Sequence, residues 1–351
     1  MTSVDHRPKT QDLSIDWNSV RRVLVVRLRS IGDTVLATPS LIALKRFLPD
    51  AQIDVLLEDW VAPLLEDFDA VDNIVSINSG RVGRIKAAWN IFRNRYDVVF
   101  NLHGGTTSTL LTFATQAQHR VGYADYQYSF LLNRRFPPAT EYWQRDYTHS
   151  AEQQLALLGY VGIPVDDRPC SHLIVSEAAE NSLAVKYDPD KPYALLHPAS
   201  LFKTKQWPTE NFANVVEYFA GRDIASVAVA SKKERSILDE LRLLSRTPVT
   251  VFDDLSLPEI TALASKASIF VGNDSGIAHI AAAVNTPVVV VFGSSNRDHW
   301  RPWTDSPNEI VYYSLPCQPC PGYECKEFGE PKCILSLETG PVIEAIDRIL
   351  S

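Results

Sequence analysis

The chain has 351 residues, 45% hydrophobic and 22% charged, which is ordinary for a globular protein and long enough for two cores. A formal net charge of −8 argues against wholesale nucleic-acid binding. No stretch approaches the roughly 20 apolar residues of a membrane span, and the start, MTSVDHRPKTQDLSIDW, has no apolar leader core, so a cytoplasmic location is expected.

Residues 1–20 read as a polar, disordered tail. RVLVVRL at 22–28 reads as a buried parallel strand running into an elbow, Arg29-Ser30-Ile31-Gly32-Asp33. A helix is expected over 34–47, with Leu36, Leu41, Leu44 and Leu48 at helical spacing. Strands follow at 53–57 and 73–77, and DVVFNL at 97–102 ends in a second elbow, His103-Gly104-Gly105. Between them, residues 79–95 carry Arg81, Arg84, Lys86, Arg93 and Arg95 without an acid. That run is either a solvated helix face or a patch that meets an anionic acceptor or a membrane surface.

A helix after His149 leads into Asp166-Asp167-Arg168-Pro169, read as a linker. The rhythm then restarts. A strand at 193–196 ends in His197-Pro198-Ala199-Ser200, and Thr209 opens a helix with Phe212, Val215, Val216 and Phe219 on one face. Strands at 225–230 and 249–252 precede FVGNDSGIAHIAAAVNTPVVVVFG at 270–293, which reads as strand, polar elbow, helix and strand. Its elbow sets Asp274, Ser275 and free backbone N–H groups at a helix N-terminus, where the macrodipole favours anions. The pattern is neither G-x-G-x-x-G nor a Walker loop. A last helix opens near Pro341, with Val342, Ala345, Ile346, Ile349 and Leu350 inward.

Strands alternating with helices at this interval predict an α/β protein with two Rossmann-like, doubly wound parallel sheets facing across a cleft. The expected domains are 21–168 and 169–351, with the final helix, 341–350, packing back on the first. Ligands in such sheets sit beyond the strand C-termini, where the polar elbows lie. Residues 1–170 hold 18 Lys+Arg against 19 Asp+Glu and the remainder 16 against 23, so the acidic excess is in the second half. Cys317, Cys320, Cys325 and Cys333 fall within one short stretch. They admit a structural zinc, a disulfide or free thiols; the Pro- and Gly-rich, loop-like surroundings and the spacing favour thiols.

RVLVVRLRSIGDTVLATPSLIALKRFLP, NLHGG, HPAS…KTKQWP, the 270–293 block and the cysteine segment together resemble glycosyltransferase family 9, the ADP-heptose:lipopolysaccharide heptosyltransferases, over nearly all of 21–350. The cysteine segment resembles members of the heptosyltransferase II type. The resemblance implies a GT-B fold, with a nucleotide sugar, ADP-heptose, in the C-terminal domain and a lipid-linked oligosaccharide acceptor on the N-terminal one. It also implies inverting transfer without a required metal, and peripheral contact with the inner membrane.

Under that resemblance Asp33 is the general base that takes the acceptor hydroxyl's proton. Read from the chain alone, Asp33 is a helix N-cap. Lys205, in KTKQWP, would neutralise the leaving diphosphate, with Lys203 two residues away as a rival. Ser200, Asp274, Ser275, Gly276 and His279 are the further donor-site candidates, and Glu234 is the nearest acid to hold the ribose. Arg29, Ser30, Gly32, His103 and Gly104 are the acceptor-side candidates, with Arg134-Arg135 and the 79–95 run beyond them. Three positions depart from the family pattern: Ala199 stands where Gly is common, Ala230-Ser231 where a Gly pair is expected, and Asn101 where Asp is frequent. The alternatives are a transferase of another nucleotide sugar to a glycan or protein, a UDP-sugar epimerase of similar shape, and a non-catalytic nucleotide-sugar-binding protein.

Overall fold

Six strands form the first sheet: β1 (Arg22–Val26), β2 (Gln52–Glu58), β3 (Asn73–Ile77), β4 (Val98–Asn101), β5 (His119–Tyr123) and β6 (Arg134–Phe136). The second comprises β7 (Tyr193–His197), β8 (Ala225–Val229), β9 (Val249–Phe252), β10 (Ile269–Asn273), β11 (Val288–Phe292) and β12 (Asn308–Tyr312). The computed structural model describes residues 15–78, 80–320 and 323–351. Every pairing is parallel, in the orders β3-β2-β1-β4-β5-β6 and β12-β11-β10-β7-β8-β9. The second order repeats the first, so each sheet reverses direction once, between β1 and β4 and between β7 and β10. The predicted α/β, GT-B architecture is therefore the one observed. β7, β10 and β11 are buried along their whole length, as expected of central strands covered by helices on both faces.

The helix expected over 34–47 is two helices, Ile31–Val35 and Thr38–Phe47. Pro39 has no N–H to offer the Val35 carbonyl, and the Thr38 hydroxyl donates to that oxygen instead, at 2.7 Å. Of the predicted tail, residues 1–14 lie outside the described residues. Residues 15–20 are folded: Asp16 caps a turn at Trp17–Ser19, Ile15 and Val20 are buried, and Trp17 meets Phe47 edge-on. The final helix, Thr339–Leu350, does not pack on the first half. It lies on β11, β12 and the helix Thr209–Ala220, with Val342, Ala345 and Ile346 fully buried there. Its apolar stripe fits the face that Phe212, Val215, Val216 and Phe219 also cover.

One apolar cluster runs continuously through both halves, from Val35 and Ala37 to Ala278 and Ala281. Polar ties reinforce that seam. The His172 N–H donates to the Thr38 hydroxyl at 3.0 Å and the Leu173 N–H to the Ala283 carbonyl at 3.1 Å. His149 accepts the Ala151 N–H at Nδ1 and donates from Nε2 to the Arg301 carbonyl at 2.7 Å. Both bonds require a neutral ring, and burial pushes its pKa down to about 3. Among the described residues no helix is long and apolar enough to cross a membrane.

Candidate active site

Both switch points open on one cavity of about 630 Å³. Ser30, Ile31, Gly32 and Trp60 line it from the first half; His197, Ser200, Phe202, Lys205, Glu234, Asp254, Asp274, Ser275 and Gly276 are among those lining it from the second. The first-half elbow follows β1 and the second-half elbow follows β10. Register places Asn101 beside Val26 and His197 beside Gly272, so the loops after β4 and β7 flank the two elbows.

The elbows meet through glycine. A Cβ on Gly32 would stand 2.7 Å from the His279 ring, and one on Gly276 would stand 2.6 Å from Ile31 Cβ. Gly32 thus lines the cavity through its backbone while its missing side chain admits the opposite helix. His279, expected to touch the donor, is instead buried against Gly32, and it does not line the cavity. Its Nδ1 has no hydrogen-bond partner among the described residues.

Asp33 pairs with Arg27 and accepts from Ser30 N–H at 3.2 Å and Ser30 Oγ at 3.0 Å. The N-cap of Ile31–Val35 is Ser30 rather than Asp33, and Asp33 is the N3 member of its capping box. Burial raises its pKa, but Arg27 and the Ser30 hydrogen bonds outweigh that and hold the carboxyl below its ordinary value. Arg27 in turn donates to the Leu102 carbonyl beyond β4, joining the two sides of the switch point. His103 lies in the same field, and burial followed by the Arg27 charge pushes it down to about 4.

Asn101, fully buried, accepts from the N–H groups of His103 and Gly104 at 3.1 and 3.0 Å. This Asx turn works with Asn or Asp, which accounts for the departure at that position. Gly104 has φ +77°, and a side chain there would strike Tyr126, so its part is to make the turn. Arg29 is exposed and does not line the cavity.

Across the cavity Lys205 Nζ lies 2.7 Å from Asp274 Oδ2, which also accepts from Ser295 Oγ. Lys203 is exposed, and of the two lysines only Lys205 lines the cavity. Its turn is clasped from behind. The buried Asn273 accepts the Trp207 N–H at 3.0 Å and donates to the Pro198 carbonyl at 2.8 Å. Ser294 donates from N and Oγ to Thr204, and a Cβ on Gly293 would fall 2.1 Å from the Thr204 carbonyl.

The cysteine segment completes this buttress. Cys320 N–H donates to the Ser294 carbonyl at 2.9 Å, and the short helix Lys332–Leu335 packs on the Lys205 turn. All four of its cysteines are free thiols, and burial pushes Cys333 up to about 11. Among the described residues no three His, Cys, Asp or Glu side chains are grouped to hold a metal.

Ser275 Oγ lies 3.1 Å from His197 Nδ1 and makes no cap bond, leaving the first N–H groups of the helix Gly276–Ala283 directed at the cavity. Burial pushes His197 down to about 4, so the ring is neutral. Ser200 lines the cavity beside them. Glu234 lines it too, but its carboxylate is engaged by Ser231 N–H and Oγ at 3.1 and 2.6 Å in a capping box, whereas Asp254 reaches the same wall. Sequence reasoning missed Arg27, Ser295 and Asp254.

By fold this is a GT-B protein. The structure of the E. coli ADP-heptose lipopolysaccharide heptosyltransferase II superposes with a TM-score of 0.80 at 21% identity, covering 94% of this chain and 98% of that one. Lipopolysaccharide heptosyltransferases 3 from E. coli and from its strain K12 are 24% and 27% identical to it. Each alignment spans 92% of this chain, and 97% and 96% of the respective relative. The family model for glycosyltransferase family 9 (heptosyltransferase) matches residues 84–329, and the chain belongs to that family. It is accordingly a glycosyltransferase.

Proposed function

We propose that the protein transfers heptose from ADP-heptose to the lipid-linked inner core of lipopolysaccharide, inverting the anomeric centre. The names of its relatives support the sugar and acceptor class. The observation that carries the chemistry is a pair of ion pairs with opposite accessibility. In Arg27–Asp33 the side chains are 9% and 23% exposed, so the carboxylate is the more accessible member. In Lys205–Asp274 they are 22% and 6%, so the cation is.

The second half, 169–351, holds the donor. Lys205 has three donor hydrogens and can keep Asp274 while reaching a phosphate oxygen. The N-terminus of Gly276–Ala283 and Ser275 supply further donors to the diphosphate, and Asp254 or Glu234 receives the ribose hydroxyls. The first half, 21–168, holds the acceptor. Asp33 takes the proton of the acceptor hydroxyl as that oxygen bonds to the anomeric carbon and the bond to the diphosphate breaks. Arg27 keeps Asp33 ionised at neutral pH and lowers its basicity, so catalysis draws on alignment more than on base strength. The charge on the leaving diphosphate is met by Lys205 and the helix terminus, with no metal required. The acceptor and donor place the reaction at the cytoplasmic face of the inner membrane.

A donor panel by calorimetry tests this. ADP-heptose is expected to bind and UDP- and GDP-sugars to fail. Tight binding of a UDP- or GDP-sugar in place of ADP-heptose would overturn the donor assignment.

A further inference from the structure

The helix Arg81–Arg93 is apolar on two opposite faces. Ala87 and Ile91 are buried against the first sheet. On the outer side Val82, Ile85, Trp89 and Phe92, at successive helical-turn spacing, are 67%, 69%, 62% and 46% exposed. Trp89 and Phe92 lie ring to ring, with centroids 6.1 Å apart. A solvated helix presents polar residues outward, so a Val-Ile-Trp-Phe stripe in water needs a cover. The neighbouring helix Thr106–Ala114 extends the patch, with Leu110 and Phe113 exposed.

Its flanks are basic. Arg84, Lys86, Arg93 and Arg95 are exposed, and residues 79–95 contain no acid in a chain of net charge −8. Among the described residues none of these four cations forms an ion pair. Large apolar and aromatic side chains between unpaired cations are the pattern of a helix lying in an anionic bilayer surface. Its position fits. The helix starts just beyond the C-terminal end of β3, the sheet edge that also carries the Asp33 elbow.

We infer that the outer face of Arg81–Arg93 docks the protein on an anionic phospholipid surface, Trp89 and its apolar neighbours entering the interface while the flanking cations meet the head groups. The purpose of the contact, presenting the cleft to a lipid-anchored acceptor, rests on the function proposed above; the contact itself does not.

The test is flotation of the full chain, without substrates, on vesicles of equal parts phosphatidylethanolamine and phosphatidylglycerol, against vesicles of phosphatidylcholine alone. Wild type should float with the anionic vesicles and progressively less as salt screens the cations. Ile85→Asp with Trp89→Asp should abolish flotation, and Lys86→Gln with Arg93→Gln should weaken it roughly 25-fold, about fivefold per cation. All four positions are exposed, so unchanged melting temperatures are expected. Wild type that stays in solution, or an Asp variant that floats as wild type does, overturns the inference. So does a wild-type dimer that the Asp variant dissociates, which would give the patch to a second copy. Transfer to a delipidated core oligosaccharide separates the two readings: it should be unaffected by Ile85→Asp with Trp89→Asp. Its absence in a wild type that floats would strike at the proposed function alone.

Discussion

The two switch points are built alike and charged in reverse. Each follows the first strand of its doubly wound half or the strand beside it, and each pairs a carboxylate with a cation. In the first half Arg27 is the buried member and Asp33 the accessible one; in the second Asp274 is buried and Lys205 accessible. A common scaffold thus leaves the cation accessible at the cavity in the second half, and in the first half leaves a carboxylate accessible just behind the lining residues Ser30 and Gly32. The contrast shows that the buried partner, which an accessible-residue search passes over, decides what each wall can do.

Breaking the first wall should have the largest effect. Asp33→Asn is expected to lower kcat about 1,000-fold while ADP-heptose affinity stays within a few-fold, measured by single-turnover transfer and calorimetry. Near-normal turnover would remove the base assignment. Breaking the second wall should be milder and distributed differently. Lys205→Ala should lower kcat/KM about 100-fold and weaken ADP binding in parallel, since its contact with phosphate exists before as well as during transfer.

The comparison also requires the walls to stay in register, which the seam at His149 provides. Its pKa is depressed in the folded protein, so the unfolded chain binds the extra proton. The stability contributed is therefore complete above about pH 6.5, the ordinary histidine value, and is lost as pH falls toward the folded value. From pH 6.5 to pH 5 that amounts to about 2 kcal/mol. Thermal melts at the two pH values should differ less in His149→Gln than in wild type; an equal difference would place the acid sensitivity elsewhere.

The subtlest test sharpens the first wall. Arg27→Gln removes the cation holding Asp33 low, so the acid limb of the kcat/KM profile should move upward in pH. An unmoved limb would mean that Ser30 alone sets the carboxyl's ionisation.

Central features were legible in the sequence because they obey local rules. β7, β10 and β11 are continuous apolar runs, and the elbows around Asp33 and Asp274 interrupt such runs with small and polar residues. β6 and β12 were not legible. One has three residues, and the other, NEIVY, lies at a sheet edge with little of the burial that writes a hydrophobic signature. Arg27 offered a signal that went unused: a cation inside RVLVVRL must find a buried partner. Ser295 offered none, because it reaches Asp274 only through the loop after β11. The placement of His279 was not legible for a related reason. Its spacing from Ser275 put it on the right helix, but whether it faced substrate or glycine depended on how closely the opposite elbow approached.

That approach has a consequence for reaction distance. Where the two elbows touch, each meets a side chain of the other half through a glycine: Gly32 against His279 and Gly276 against Ile31. The spacing of the two elbows, and on the proposed mechanism that between proton acceptor and leaving group, is therefore set by two absent methyl groups. Adding either one, Gly32→Ala or Gly276→Ala, would act as a shim. It would spread the jaws while leaving every charged residue in place, turning a chemically intact enzyme into one whose reactants are held too far apart.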